Sequence, residues 1–211
     1  MDLMKLMDEF GTEQACREVL AELRWPAGVT CPRCQAAKHA YDSNRWVWDC
    51  YSCGYQFSAL SGTILHDTKL PLQKWFVAVF LICEARAGMS ANQMKRTLGV
   101  SYKTGWYLCH RIRAAMGTAA YNYSGEIHDA VDHNVDESLP GDVHPNAVES
   151  PWSLLKHSLV GSDRQRSTKH LPAYLDEVEW WFNNRDNENL FRHTLTRLVS
   201  TETLPYAELT A

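Results

Sequence analysis

The sequence predicts a mainly α-helical fold with one small β-sheet near its N-terminus. Apolar residues repeat at helical spacing in several segments between positions 13 and 116, and again after position 167. By contrast, residues 29–66 are aromatic and turn-rich, and they contain two Cys-x2-Cys pairs. The 211 residues are 45% hydrophobic, which is enough to bury a core and argues against a disordered chain.

Neither a membrane span nor an export signal is expected. No apolar run approaches the ~20 residues that a membrane helix needs, and Met1–Lys5 is not a basic region followed by an apolar stretch. The seven cysteines are an odd number, and four of them form the two pairs. They fit a reducing compartment with a metal site better than a disulfide framework, so we expect a cytoplasmic protein.

The first predicted helix covers residues 13–23. Four apolar side chains fall at i, i+3, i+4 and i+7 of this segment, and Thr12 can cap its start. The turn sequence of residues 25–28, which contains Pro26 and Gly28, ends the helix. Further along, Arg45–Asp49 alternates between apolar and polar residues and is predicted as a strand between the cysteine pairs.

The two cysteine pairs predict a closed zinc site. Fifteen residues separate the pairs, and each Cys-x2-Cys turn can supply two thiolates to a tetrahedron. Gly54 follows the second pair, where a tight turn favours a residue without Cβ. Four thiolates leave no position for water, so the zinc is expected to be structural and to contribute to folding. The predicted ligands are Cys31, Cys34, Cys50 and Cys53.

Two alternatives to this zinc site remain open. The pairs could be unrelated free or disulfide-bonded cysteines, and His39, which lies between them, could replace one thiolate as a ligand. The other three cysteines fall on apolar helix faces, so we expect them to be packing residues. These are Cys16, Cys83 and Cys109.

Residues 68–117 predict a helix-turn-helix. Pro71 opens an apolar helix that runs to about Ala87 and ends at Gly88. Ser90 then caps a short helix to about Leu98, Gly99 makes a turn, and Ser101 caps a third helix to about Met116. In this arrangement Met94, Leu98, Val100, Trp106, Cys109, Ile112 and Met116 pack inward. The alternative is a plain helical hairpin with solvated charges.

The third helix is predicted to contact DNA. Its first turn can reach base edges or phosphates, and Lys103, Tyr107 and Arg111 recur at i, i+4 and i+8 as an outer, partly basic stripe. Residues 1–117 carry 14 Lys and Arg against 10 Asp and Glu, whereas residues 118–211 carry 7 against 15. The basic excess of the front half is modest support for a nucleic-acid partner. The predicted contacts are Arg33, Arg45, Ser101, Lys103, Thr104, Tyr107 and Arg111.

The rear half changes character after residue 118. Residues 123–149 hold seven acidic residues and three histidines but no Lys or Arg, which is typical of a loop or connector. The histidines, His128, His133 and His144, have no regular ligand spacing. Helices are predicted over about 147–159 and 167–184, followed by a frayed last dozen residues. The aromatic run Trp180-Trp181-Phe182 could stack on bases, belong to the core or form an exposed apolar surface.

Motifs in both halves resemble the zinc-ribbon insertion-sequence transposases of the ISXO-like DDE group. The resemblance covers roughly residues 12–117 and 128–190. In the front half it is carried by Cys31-Pro-Arg-Cys34, Tyr51-Ser-Cys53-Gly54, Phe57-Ser58, Ser61-Gly-Thr-Ile-Leu65 and Gly99-Val-Ser-Tyr-Lys-Thr104. In the rear half it is carried by Gly141-Asp-Val-His144, Asn146-Ala-Val-Glu149, Trp152-Ser-Leu-Leu-Lys156, Gly161, Lys169-His-Leu171, Tyr174-Leu175 and Phe182-Asn-Asn-Arg185.

The resemblance implies a two-metal catalytic chemistry in a ribonuclease H-like α/β domain. In that chemistry two aspartates and one glutamate hold divalent ions such as Mg²⁺ for attack on phosphate. Glu149 matches the third acid. Lys156, seven residues on, shares its helix face with Glu149 and is expected to contact DNA phosphate. A solvated helix edge is the alternative for both residues.

The two aspartates have no matching positions here. Only 33 residues separate Met116 from Glu149, which is too short for the several strands that carry them in such a domain. Ser124-Gly-Glu-Ile127 runs directly into sequence typical of the region just before the glutamate helix. The resemblance therefore implies an internal deletion that leaves only helices of the catalytic domain.

The expected function is sequence-specific recognition of transposon terminal repeats in double-stranded DNA, without cleavage. One alternative is an active, compact transposase that uses Glu149 with two divalent ions. The other is an interaction or inhibitor protein that binds itself or a full-length transposase. The expected location is the bacterial cytoplasm, at the nucleoid when bound to DNA. The predicted segments are an N-terminal helix and zinc ribbon (1–67), a helix-turn-helix (68–117), an acidic connector (118–146) and a C-terminal helical remnant (147–211).

Overall fold

The computed structural model describes residues 2–85, 88–117, 170–205 and 209. These residues form a mostly helical structure with one small antiparallel sheet. The helices are α1 (Leu3–Phe10), α2 (Glu13–Arg24), α3 (Leu72–Glu84), α4 (Ala91–Leu98), α5 (Tyr102–Gly117), α6 (Leu171–Asn183) and α7 (Leu190–Ser200). The strands are β1 (His39–Asp42), β2 (Val47–Cys50) and β3 (Gln56–Phe57).

Side-chain caps start the helices as the sequence predicts. Thr12 Oγ1 accepts a hydrogen bond from the backbone N–H of Ala15 at the start of α2. Ser90 does the same at α4, and Ser101 at α5, where its Oγ lies 3.1 Å from the N atom of Thr104. Each cap satisfies a backbone donor that has no partner within the helix. The predicted starts of these three helices are confirmed.

Helix α3 ends earlier than predicted. It runs to Glu84 and not to Ala87, because Ala85 leaves the helical conformation with φ −84° and ψ 82°. Gly88 then adopts a φ of 80°, which only glycine reaches without strain. The glycine thus belongs to the turn toward α4.

The sheet has the strand order β1-β2-β3, and both pairings are antiparallel. In the register, His39 faces Cys50 and Trp48 faces Phe57. The predicted strand at Arg45–Asp49 is wrong in its first two residues. Trp46 has a φ of 53° and lies with Arg45 in the turn between β1 and β2, because a positive φ is incompatible with an extended strand.

One hydrophobic core joins helices from the front and rear of the chain. Phe10 of α1 packs against Phe76 of α3 at a ring distance of 4.9 Å and against Phe191 of α7 at 5.8 Å. Leu198 of α7 is fully buried in the same core. The sequence did not predict α1 or α7, and both complete this core. Predicted segments 1–67, 68–117 and 147–211 all contribute side chains to it.

The segment that follows α7 is paired with the backbone after the zinc-ribbon region. The carbonyl of Thr201 accepts from the N–H of Ile64 at 2.9 Å, and Thr203 Oγ1 donates to the carbonyl of Thr63 at 3.2 Å. Glu202 forms an antiparallel bridge with Thr63. The expectation of a frayed end is therefore wrong for residues 200–203, because backbone hydrogen bonds hold them.

Several packing predictions are confirmed. Cys16, Cys83 and Cys109 are buried, as expected of packing cysteines. Trp180 belongs to the core and donates a hydrogen bond to Thr194 Oγ1, so it is not a platform for stacking on bases. Trp181 and Phe182 are half-buried on α6, the helix predicted over 167–184.

Other predictions fall on residues outside the described ranges. These are the acidic connector with its three histidines, the helix at 147–159, Glu149 and Lys156. In the part of the chain that the structure describes, no helix has both the length and the apolar character needed to cross a membrane.

Candidate metal centre and nucleic-acid interface

The four predicted zinc ligands lie together. The Sγ atoms of Cys31, Cys34, Cys50 and Cys53 are all within 4.8 Å of one another. Cys31 and Cys53 are 3.7 Å apart, and Cys34 and Cys50 are 3.5 Å apart. A tetrahedral zinc site with Zn–S bonds of ~2.3 Å has sulfur atoms ~3.8 Å apart, so this donor set fits one zinc ion.

Both cysteine pairs sit in turns of the same construction. The N–H of Gln35 donates to the carbonyl of Cys31 at 2.8 Å, and the N–H of Gly54 donates to the carbonyl of Cys50 at 2.9 Å. Gln35 and Gly54 have φ values of 60° and 67°. A Cβ on Gly54 would meet no atom within 4 Å, so its backbone conformation, and not lack of space, favours glycine there. Nothing in the sequence indicates that Gln35 occupies the equivalent position.

The turn geometry also favours the thiolate form of a ligand. Backbone N–H groups, first that of Cys53 and then that of Ser52, lower the pKa of the Cys50 thiol to about 7. A metal ion binds the thiolate and not the thiol, so these donors favour the ligand form of Cys50, one of the four cysteines. His39 pairs with Cys50 across the sheet, but the cluster of possible ligands among the described residues contains the four cysteines alone. The alternative in which His39 is a ligand is not supported.

A small aromatic cluster connects the zinc site to the rest of the protein. Trp25, at the end of α2, lies 5.3 Å from the ring of Trp48 and 5.8 Å from that of Phe57. The buried residues of this cluster are Cys31, Cys50 and Phe57, and Trp25 and Trp48 pack against the main core as well. So few buried side chains give little folding energy, and the zinc ion supplies the remainder.

Helices α4 and α5 pack closely through a glycine. A Cβ added to Gly105 would lie 3.0 Å from the carbonyl oxygen of Ala91 and 3.2 Å from the N atom of Lys95. Between the helices, Gly99 adopts the left-handed conformation with φ 61° and ψ 44°. These two glycines set the approach and the turn of the pair.

The inward face of this pair is largely as predicted. The buried residues are Met94, Leu98, Cys109, Ile112 and Met116. Val100 and Trp106 are half-buried. The Trp106 ring lies 4.3 Å from that of His110, which is itself buried.

The N-terminal turn of α5, which carries three of the predicted DNA contacts, is largely exposed. Ser101 and Lys103 are exposed, and Thr104 is half-buried. Ser101 Oγ lies 2.9 Å from Thr104 Oγ1, so the two hydroxyls are linked. Three further exposed residues lie beside this turn and were not among the predicted contacts, although they stand at the ends of the two predicted helices. They are Lys95 and Arg96 in the last turn of α4 and Tyr102 in the first turn of α5.

Arg111 does not belong to an exposed stripe. It is only 4% exposed, and its guanidinium lies 4.9 Å from the ring centre of Tyr107, which is half-buried. Burial lowers the pKa of Arg111. The predicted stripe fails because each helical residue turns by ~100°, so a spacing of eight residues carries Arg111 about 80° around the helix from Lys103.

The two basic residues predicted on the zinc segment are exposed but already have neighbours. Arg45 pairs with Asp42, with Nε 2.7 Å from Oδ2. The guanidinium of Arg33 lies 5.8 Å from the ring centre of Tyr55. Both stay predictions as DNA contacts, as does Lys156 outside the described ranges.

Two family models match the chain. A transposase zinc-ribbon domain matches residues 11–56, and an ISXO2-like transposase domain matches residues 115–183. Together the two matches cover more than half of the 211 residues.

Two curated proteins are similar to parts of the chain. An uncharacterized protein in the transposable element ISH50 of Halobacterium salinarum is 29% identical over 121 residues, covering 56% of this chain and 40% of that protein. The male abnormal protein mab-31 of Caenorhabditis elegans is 24% identical over 152 residues, covering 66% of this chain and 33% of that protein. This chain therefore spans less than half the length of either relative, and no solved structure matches it. With the zinc-ribbon match containing all four cysteines and the transposase match reaching from α5 to the end of α6, the chain belongs to the IS1595 family of insertion-sequence transposases.

Proposed function

We propose that this protein binds double-stranded DNA at the terminal repeats of its insertion sequence and does not itself catalyse strand transfer. The observation that carries the proposal is the exposed end of the α4–α5 pair. There the first turn of α5 presents Ser101, Tyr102 and Lys103 beside the last turn of α4, which carries Lys95 and Arg96.

The α4–α5 pair is proposed to act as a helix-turn-helix. In such a unit the second helix enters the major groove with its N-terminal residues against base edges, while nearby basic residues contact phosphates. The close crossing at Gly105 and the left-handed turn at Gly99 support this role. We assign Ser101, Tyr102 and Lys103 to the groove, and Lys95 and Arg96 to the phosphate backbone.

The zinc site is proposed to act on DNA binding through the fold. Its four sulfurs are fully used by one metal ion, so it offers no open position for catalysis. The ribbon carries Arg33 and Arg45 as secondary phosphate contacts, with Arg45 weakened by its pairing with Asp42. At physiological salt we expect the protein to be associated with the nucleoid.

The proposed lack of catalysis rests on sequence length. Metal-dependent phosphoryl transfer in DDE enzymes needs three acids held in fixed geometry. Only Glu149 has a matching position, 33 residues after Met116, and that interval is too short for the strands that would carry two aspartates.

The test is a titration of labelled terminal-repeat duplex with zinc-loaded protein, read by fluorescence anisotropy at several salt concentrations. We expect Lys103→Ala and Arg96→Ala each to weaken binding. Arg96→Ala, which removes a proposed phosphate contact, should also reduce the slope of log K against log salt by about 1. Lys5→Ala, which removes the same charge from exposed α1, is the matched control and should leave both quantities unchanged. Failure of the wild-type protein to bind any duplex at low salt would overturn the proposal.

An active transposase is the second candidate, favoured by the ISXO2-like transposase match over residues 115–183, which includes Glu149. It requires cleavage of a terminal-repeat substrate with Mg²⁺ or Mn²⁺ that is abolished by Glu149→Gln. Intact substrate at saturating wild-type protein would exclude it, and metal-dependent cleavage would instead contradict our first proposal.

A further inference from the structure

A buried ring of hydrogen bonds joins the rear of the chain to the start of α4. Glu177 of α6 accepts from Arg113 Nε at 2.8 Å through Oε2, and from the N–H of Met89 at 3.3 Å through Oε1. Arg113 of α5 closes the ring, because its Nη2 donates to the carbonyl of Met89 at 2.6 Å. Met89 immediately precedes Ser90, the N-cap of α4.

All three members of the ring are removed from water. Arg113 is 1% exposed, Met89 3% and Glu177 4%. The Arg113 guanidinium also lies 4.3 Å from the ring centre of Tyr174, another residue of α6. A buried ion pair rarely improves stability over an apolar pair of the same size, so its presence calls for an additional explanation.

An ion pair can fix the orientation of the groups that it binds, which an apolar pair cannot do. The planar guanidinium presents donors in a fixed fork, and one edge binds Glu177 while another binds the Met89 carbonyl. The carboxylate likewise binds two donors at once. The backbone at the start of α4 is therefore fixed in both distance and orientation against α5 and α6.

We propose that Glu177 is a positioning residue for DNA recognition, which sets α4 against α5 through Arg113 and the Met89 backbone. The inference rests on the proposed DNA-binding function. The ring of hydrogen bonds links the matched transposase domain to the segment before it. Glu177 lies within that match, whereas Met89 and Arg113 precede it. Helix α6 thus positions α4 and α5, the helices proposed to bind DNA, even in a protein that does not catalyse strand transfer.

The test compares Glu177→Gln with Leu198→Ala in the full, zinc-loaded chain. Leu198 is fully buried in α7 and its truncation destabilises the rear helices without removing a group of the ring. Both variants are measured at a temperature where circular dichroism shows them folded. We expect Glu177→Gln to weaken duplex binding by about tenfold or more and to speed amide hydrogen exchange in residues 91–98. Leu198→Ala, with a similar loss in Tm, should stay within about twofold of wild type in affinity.

Arg113→Lys provides a second variant if Glu177→Gln does not fold. It keeps the buried positive charge but loses the fork, so we expect weaker DNA binding and faster exchange in α4 with zinc content unchanged. Wild-type affinity and exchange in the ring variants would overturn the inference, as would an equal loss of affinity in Leu198→Ala. If the wild-type protein binds no duplex, the proposed function fails by itself, and the exchange of residues 91–98 still decides whether Glu177 positions α4.

Discussion

The carbonyl oxygen of Ala91 lies 3.0 Å from the point that a Cβ on Gly105 would occupy. The neighbouring N atom of Lys95 is 3.2 Å from the same point. Both atoms belong to the backbone of α4, which cannot move aside as a flexible side chain could. The spacing of the two helices is therefore set by the absence of a side chain at position 105.

Replacing Gly105 should push α4 and α5 apart. We expect Gly105→Val to lower the free energy of unfolding by about 1–3 kcal/mol through overpacking. Gly105→Ala should cost less, because alanine favours a helix by ~0.5–1 kcal/mol over glycine and partly offsets the contact. Urea unfolding of the zinc-loaded variants measures both. If Gly105→Ala is more stable than wild type, α4 can shift away from α5 at a lower energetic cost than its backbone contacts imply.

Zinc removal should unfold the ribbon and spare the helical core. The zinc cluster buries only three residues of its own and shares Trp25 and Trp48 with the main core, so the larger core should stay folded when the cluster unfolds. Chelation should change the fluorescence of Trp25 and Trp48 while most of the helical circular dichroism remains.

A matched pair of cysteine variants checks which thiols hold the metal. Cys34→Ser should lose the bound zinc, whereas Cys16→Ala, which removes a buried thiol from α2, should keep one zinc ion per chain. Collapse of the helical signal on chelation, or full zinc content in Cys34→Ser, would contradict this arrangement.

Glu13 should stabilise the start of α3 from a distance of 59 residues. Its Oε2 accepts from the N–H of Leu72 at 2.8 Å, and its Oε1 pairs with Arg17, whose guanidinium lies 5.0 Å from the ring centre of Trp46. Glu13→Ala should cost about 1–2 kcal/mol, mainly from the lost cap, because the half-exposed ion pair adds little. Glu18→Ala, at an exposed position of the same helix, should cost less than about 0.5 kcal/mol. Equal urea midpoints for the two variants would show that the cap contributes nothing.

Burial of His110 should make the fold less stable in mild acid. Burial first, and then the positive charges of Arg113 and His170, lower the pKa of His110 from 6.5 to about 3. Between these two pH values, His110 is therefore protonated in the unfolded chain but neutral in the folded chain. The free energy of unfolding is therefore highest above pH 6.5 and decreases progressively as the pH falls toward 3.

His110→Phe should remove this dependence. The ring of His110 packs among those of Trp106 and Tyr174, and its Nε2 has no hydrogen-bond partner within the described ranges, so phenylalanine should be tolerated. We expect the drop in Tm between pH 7.5 and 5.5 to be smaller in His110→Phe than in wild type. His66→Gln, at an accessible position, should keep the wild-type drop. Identical drops in all three proteins would mean that His110 titrates normally in the fold.

Local signals made the helix starts and the zinc site predictable. A serine or threonine cap accepts a hydrogen bond from a backbone N–H three residues on, and a Cys-x2-Cys turn brings two nearby thiols together. Both features can therefore be predicted from a few consecutive residues. Helix α7 was missed although Phe191, Leu195 and Leu198 recur at helical spacing. That spacing does not show that the helix packs against Phe10 and Phe76, which are more than 100 positions away in the chain. The burial of Arg111 was missed because helical spacing predicts which residues share a face of α5, but it does not predict which other elements cover that face. The ring at Met89 depends on backbone atoms, which no side-chain pattern records.

The pairing of Thr201 and Thr203 with Ile64 and Thr63 has a consequence for biosynthesis. The first helices begin a core that α7 completes, and Thr203 is synthesised 140 residues after its partner Thr63. Contacts across such long intervals form slowly, because a long loop must close before they contribute. While it is being translated, the nascent chain can bind zinc but cannot complete its core. We therefore expect α4 and α5, the helices proposed to bind DNA, to reach their final arrangement only after translation has passed residue 203.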